Sequence, residues 1–210
     1  LEGVAAVLFD EFHERSVQGD LGLALALEAR SLFRDDLRLI VMSATIDAER
    51  VASLLGEAPV LRAEGRVFPV ETVYARRPGF GDGAEAAADR AADAVRDAMC
   101  AHPEGDVLVF LPGGYEIRRC AAELAGRGLP RGVRVAPLYG ALSAEEQDAA
   151  VAPSRPGERK IVLATDIAET SLTVEGVRVV VDAGWRRVPR FSPRTGLTHL
   201  ETVPVTLASA

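Results

Sequence analysis

The order of apolar runs predicts an α/β protein built on parallel sheets and ending in a β-hairpin. Three observations carry that prediction. Short continuous apolar runs recur along the chain, as expected of strands buried on both faces. Helical stretches separate them, and such alternation implies parallel βαβ units. Residues 185–205 instead alternate about Pro193, Arg194, Thr195 and Gly196, which reads as a hairpin turn.

In chain order, residues 4–9 (VAAVLF) form the first buried strand and residues 20–34, rich in Leu and Ala, a helix. Residues 37–45 (LRLIVMSAT) read as a second buried strand ending in small hydroxyl residues. Residues 47–55 read as a short helix with Asp47 as its cap. Residues 67–75 (VFPVETVYA) have strand composition, and the Pro- and Gly-rich 76–83 reads as a loop. A second series follows: an Ala-rich helix over 84–101, a strand at 106–111, a helix to about 126 and a strand at 133–140. Ser143 and Glu146 have capping-box spacing at the start of the next helix. Residues 159–165 and 177–184 read as two further buried strands. The boundary between the series falls near 62–67, predicting domains over 1–64 and 65–210.

Length and composition narrow the possibilities. The 210 residues suffice for one large or two small domains. No apolar run approaches the roughly 20 residues that span a bilayer, and no signal-peptide pattern opens the chain. Cys100 and Cys120 have no CxxC spacing and read as reduced core thiols, which points to a cytoplasmic location. A net charge of −7 argues against non-specific nucleic-acid binding by the molecule as a whole. Residues 185–194 are locally different, with Arg186, Arg187, Arg190 and Arg194 and no acid.

Chemistry-bearing residues gather at strand ends. In open parallel sheets, ligands bind outside the carboxyl ends of the strands. Asp10 and Glu11 follow the first strand, Ser43 and Thr45 the second, Pro112, Gly113 and Gly114 the third series member, and Thr165 and Asp166 a later one. An Asp at such a place can hold Mg²⁺, which prefers oxygen ligands and keeps much of its water. A neighbouring Glu can orient a water molecule for phosphoryl transfer, a reaction that depends chiefly on positioning and charge compensation. Taken alone, the pair could equally begin a loop and cap the next helix.

The segments "DEFHERS" (10–16), "SAT" (43–45), "FLPGGYEI" (110–117), "LYGALSAEEQ" (138–147) and "ATDIAETSLTVEGVRVVVDAG" (164–184) resemble, in this order, the motifs of the DEAH-box RNA helicases. Phe12 and "FLPG" are most similar to the bacterial HrpB-type branch. The resemblance implies two RecA-like parallel-sheet domains, the first represented by its later part and the second carrying the β-hairpin. It implies ATP and Mg²⁺ as cofactors and RNA, with DNA as an alternative, as partner. By resemblance Asp10, Glu11 and His13 would be catalytic, and Asp10 and Glu11 would hold the metal and nucleotide. His13 would couple the nucleotide site to the second domain, as would Ser43 and Thr45. Ser171, Thr173 and Glu175 would lie near the nucleotide. Gly113 and Thr165 would meet the RNA backbone, and Arg186, Arg187 and Arg190 of the hairpin would contact RNA.

Two positions depart from the family pattern. Asp166 replaces the more usual Asn, turning an amide donor into an anion, and Phe12 replaces Ala. Strand alternation predicts that Phe12 points away from the metal. The chain opens at Leu1 on a strand-like run, contains no GxxxxGK[ST], and stops where an arginine-bearing motif would begin. It therefore reads as an internal piece of an ATP-dependent RNA helicase, expected to be inactive alone. The alternative is a non-catalytic RecA-like module binding RNA or a protein partner. A metallohydrolase using Asp10, Glu11, His13 and Glu14 is a third option, although "HERSV" is not HExxH.

Overall fold

The computed structural model describes residues 2–43, 48–63, 65, 68–74, 83–166, 168 and 174–205, with backbone alone at Glu14. The chain divides into two compact units, Leu1–Glu71 and Thr72–Ala210. Among the described residues, no helix is long and apolar enough to cross a membrane.

The first unit holds β1 (Ala6–Phe9), α1 (Val17–Leu32), β2 (Arg38–Val41) and α2 (Ala48–Leu54). β1 and β2 pair in parallel, from Ala6 with Arg38 to Phe9 with Val41. Their connection through α1 is the predicted βαβ unit. α1 begins before the Leu-rich stretch because the Ser16 hydroxyl accepts the Gly19 N–H at 2.9 Å, satisfying a donor that the first turn leaves orphaned. Leu23 and Ala26 form its buried face. Burial of both strand faces is not met here: Leu8 is 56% and Ile40 44% exposed. Alternate side chains of a strand point to opposite faces, and only one face of this strand pair is packed. The N-cap expected at Asp47 lies outside the described residues.

The second unit opens with α3 (Ala87–Ala101), preceded by a 3-10 turn at Ala84–Ala86. Then follow β3 (Asp106–Phe110), α4 (Gly114–Gly126), β4 (Val133–Leu138), α5 (Ala144–Val151), β5 (Arg159–Ala164) and β6 (Val177–Asp182). β3 to β6 form a parallel sheet of four strands in the order β4-β5-β3-β6. One face buries Val107, Val109, Ile161 and Leu163 against Ala91, Val95, Ile117 and Cys120 of α3 and α4. The other buries Leu108, Val162 and Ala164 with Ala150 of α5 and Ala168. β3 and β5 are central and buried on both faces, as their unbroken apolar runs predict.

Three expectations need correction. β6 is an edge strand, exposed at alternate residues and with Val180 58% exposed, rather than a strand buried on both faces. Residues 68–74 form no strand. Apolar composition makes a strand only where a partner supplies the ladder, and Pro69 offers no N–H to one. Cys120 is a buried thiol, as expected, but Cys100 is exposed.

The predicted capping box is complete. The Ser143 hydroxyl accepts the Glu146 N–H at 3.3 Å, while the Glu146 carboxylate accepts the Ser143 N–H at 2.9 Å. The chain ends in an antiparallel pair, β7 (Trp185–Ser192) and β8 (Leu197–Pro204), turning through residues 193–196.

Candidate functional site

In the first unit, the chain leaves β1 through Asp10 into a 3-10 turn, Phe12–Glu14. Glu11 holds φ 48° and Arg15 φ 51°, so non-glycine residues in left-handed backbone bracket the turn. Such a residue costs on the order of 1 kcal/mol, and this strain falls on the acidic strand end. Asp10 Oδ1 accepts the Glu11 N–H at 2.8 Å, which orients its exposed carboxylate. Glu11 Oε2 lies 3.4 Å from His13 Nδ1. Two backbone bonds stitch the turn to the end of β2: Met42 N–H to the Phe9 carbonyl at 2.8 Å, and Phe12 N–H to the Met42 carbonyl at 3.1 Å. Asp10, Glu11, His13 and Ser43 therefore share one edge of the strand pair. Thr45 lies outside the described residues.

Phe12 is not on the strand, so alternation does not set its direction. It is buried in the turn, its ring edge-on to Phe9 at 6.4 Å between centroids, with the Arg15 guanidinium 5.7 Å above it. It packs the turn and leaves the carboxylates outside. Asp10 and Glu11 offer exposed hard oxygen donors at a strand end, a donor set that fits Mg²⁺. Among the described residues, no three His, Cys, Asp or Glu gather as a metal-ligand cluster.

In the second unit, Gly113 and Thr165 lie at the carboxyl edge of the sheet, just beyond adjacent strands β3 and β5. The Thr165 N–H is taken by the Leu138 carbonyl at 3.2 Å, which leaves its hydroxyl, not its amide, for a ligand. Asp166 is exposed beside it. Glu175 is elsewhere. It precedes β6 in a turn whose next residue, Gly176, accepts the Asp106 N–H at 2.9 Å. In a parallel sheet that is the amino edge, so the structure does not bring Glu175 to Thr165 and Gly113. Ser171 and Thr173 lie outside the described residues.

The hairpin arginines do not form one surface. Directly opposed residues of an antiparallel pair share a face, and faces alternate along a strand. Arg186 pairs with Val203 and Arg190 with His199, on one face. Arg187 pairs with Thr202 on the other, with Pro189 and Phe191 further along. Arg190 makes an exposed ion pair with Glu201 at 3.3 Å, and Arg187 meets Glu116 of α4 at 3.3 Å. The Nε of Arg186 is buried and has no hydrogen-bond partner among the described residues. Glu116 was not among the sequence candidates. It stands 71 positions from Arg187, and no local pattern pairs them.

The helicase conserved C-terminal domain matches residues 90–193. With the four-stranded parallel sheet and the similarity over the whole chain, that match places the chain in the family of the DEAH-box helicases. It is 50% identical over 209 residues to the ATP-dependent RNA helicase HrpB of Escherichia coli, covering all of this chain and 25% of that protein. It is 39% identical over 210 residues to an ATP-dependent RNA helicase HrpA homolog of Haemophilus influenzae, of which it covers 16%. A crystal structure of the Escherichia coli DEAH/RHA helicase HrpB superposes with a TM-score of 0.83 over the whole chain and 26% of that structure. The chain thus spans about a quarter or less of the length of these relatives.

Proposed function

We propose that this chain is part of an ATP-dependent RNA helicase, with Leu1–Glu71 belonging to the first RecA-like domain and Thr72–Ala210 to the second. The observation that carries this reading is the Asp10–Glu11 pair, held at a strand end by the left-handed Glu11 and the stitching of Phe12 to Met42. Asp10 and Glu11 would hold Mg²⁺, which supplies charge compensation on the phosphates when bound. Glu11 orients the attacking water and takes its proton, and His13, within reach of the Glu11 carboxylate, relays the state of the site. Ser43 stands at the neighbouring strand end, placed to respond to the same state. On the second unit, the backbone at Gly113 and the hydroxyl of Thr165 meet RNA phosphates, which position without reading sequence. Arg186 and Arg190 add charge from one hairpin face. The resemblance-based role of Ser171, Thr173 and Thr45 stays with that reading. Glu175, at the opposite sheet edge, has no geometric support for nucleotide contact from its own unit.

The chain holds no GxxxxGK[ST], so hydrolysis needs a phosphate loop that its 210 residues do not contain. In a full-length helicase carrying this segment, Glu11→Gln should abolish RNA-stimulated phosphate release while ATP binding persists. Release within twofold of the unaltered protein overturns the assignment. A second reading, already open from the sequence, is a module that binds RNA or a protein without turnover. That reading predicts RNA binding indifferent to ATP and to Glu11→Gln.

A further inference from the structure

The sequence groups Arg187 with Arg186 and Arg190, whereas the structure separates it. We propose that Arg187 is a positioning residue: it fixes the β7–β8 hairpin to the first turn of α4, and Gly113 lacks a side chain so that its guanidinium fits. This rests on the reading of the hairpin as a nucleic-acid element.

Three observations converge. Arg187 Nη2 lies 3.3 Å from Oε1 and 3.4 Å from Oε2 of Glu116, one donor nitrogen shared between both oxygens of the carboxylate. The Glu116 side chain is only 14% exposed, so its charge depends on this partner far more than Glu201, 51% exposed, depends on Arg190. A Cβ on Gly113 would stand 2.6 Å from Arg187 Nη1 and 2.8 Å from its Cζ, closer than any real contact. Gly113 has extended backbone, so conformation does not require glycine there; its missing side chain leaves the space that the guanidinium occupies.

The arginine run is thereby divided by task. Arg190 holds a loose, solvent-screened pair that a phosphate can replace. Arg187 is committed to Glu116. The same glycine that lies at the sheet edge for the RNA backbone also seats the hairpin, so the hairpin's angle to that edge is set at the edge itself.

The first test needs no RNA. Hydrogen exchange should show the β7 and β8 amides of Arg187→Ala opening about tenfold faster, with β3 and β5 unchanged. The exchanged pair Arg187→Glu with Glu116→Arg should restore protection. Gly113→Ala displaces only the flexible end of Arg187 and should produce a smaller loosening of the same amides. Unchanged hairpin exchange in Arg187→Ala overturns the proposal. The second test is the slope of log K against log salt for single-stranded RNA in the full-length helicase. Each lost phosphate contact lowers that slope by about 0.7. Arg190→Ala should show the loss and Arg187→Ala should keep the wild-type slope. An equal loss in Arg187→Ala makes it a phosphate contact and overturns the proposal. If the unaltered helicase binds no RNA, the proposed function fails, and hydrogen exchange alone decides the positioning role.

Discussion

Glu11 meets several demands at once: left-handed backbone, an amide bound to Asp10, and a carboxylate beside His13. Glycine would relieve the backbone and remove the carboxylate. Glu11→Gly should therefore leave the denaturation midpoint of the first unit no lower while ending phosphate release in the full-length helicase. The cysteines separate on burial. Cys100 should react with a thiol reagent in the native protein, and Cys120 only after denaturation. Burial pushes the Cys120 thiol up to about 12. An unfolded thiol ionises near 8.5, so the native state keeps a proton that the unfolded state loses over that interval. Stability from this source is complete below about pH 8.5 and falls as pH rises toward 12. Alkaline urea titrations should show unaltered protein losing about 1.4 kcal/mol per pH unit more than Cys120→Ala.

At the scale of elements, local rules served best where one short segment carries all the partners. The capping box at Ser143 and Glu146 is such a case, and both of its reciprocal bonds are present. Ser143→Ala should cost about 1 kcal/mol, measured as a shift in the urea midpoint. The hairpin shows where local reading stops. Its turn and strands were legible from alternation, and alternation also puts Arg187 opposite in facing to Arg186 and Arg190. What the strand could not tell was that α4 supplies Glu116 to one of those faces. Residues 68–74 failed for the complementary reason: strand composition is there, but pairing is a property of two segments.

Across the whole molecule, the second unit is closed around two-sided central strands and the first is open on one face of its strand pair. Amides of β3 and β5 should accordingly resist hydrogen exchange far longer than those of β1 and β2. The closure includes a buried polar knot at the amino edge of the sheet. Asp106 accepts the Lys160 N–H at 2.8 Å and the Ser154 hydroxyl at 2.7 Å. Lys160 Nζ donates to the carbonyls of Ala150 and Ala152, closing the end of α5. Burial pushes the Lys160 ammonium down from its ordinary value, and the Asp106 carboxylate opposes that shift. Gly176, at φ 88°, leaves room beside Asp106: a Cβ there would stand 3.3 Å from Oδ2. Asp106→Ala should destabilise the second unit by about 2 kcal/mol, because it leaves the buried Lys160 N–H and the Ser154 hydroxyl without their acceptor, and calorimetry would register the loss.

The strand–helix alternation, the turn and cap chemistry, and the acidic and hydroxyl residues at strand ends are all set by local sequence. These depend on neighbours a few positions apart, and hydrophobic period and side-chain type report them directly. Which strands are edges, the use of the Thr165 amide by Leu138, the place of Glu175 at the far edge of the sheet and the pairing of Arg187 with Glu116 follow from the folded chain alone. Each of those depends on contacts between residues distant in sequence. Burial and pairing across such distances are set by how the sheet closes, and no local pattern encodes them.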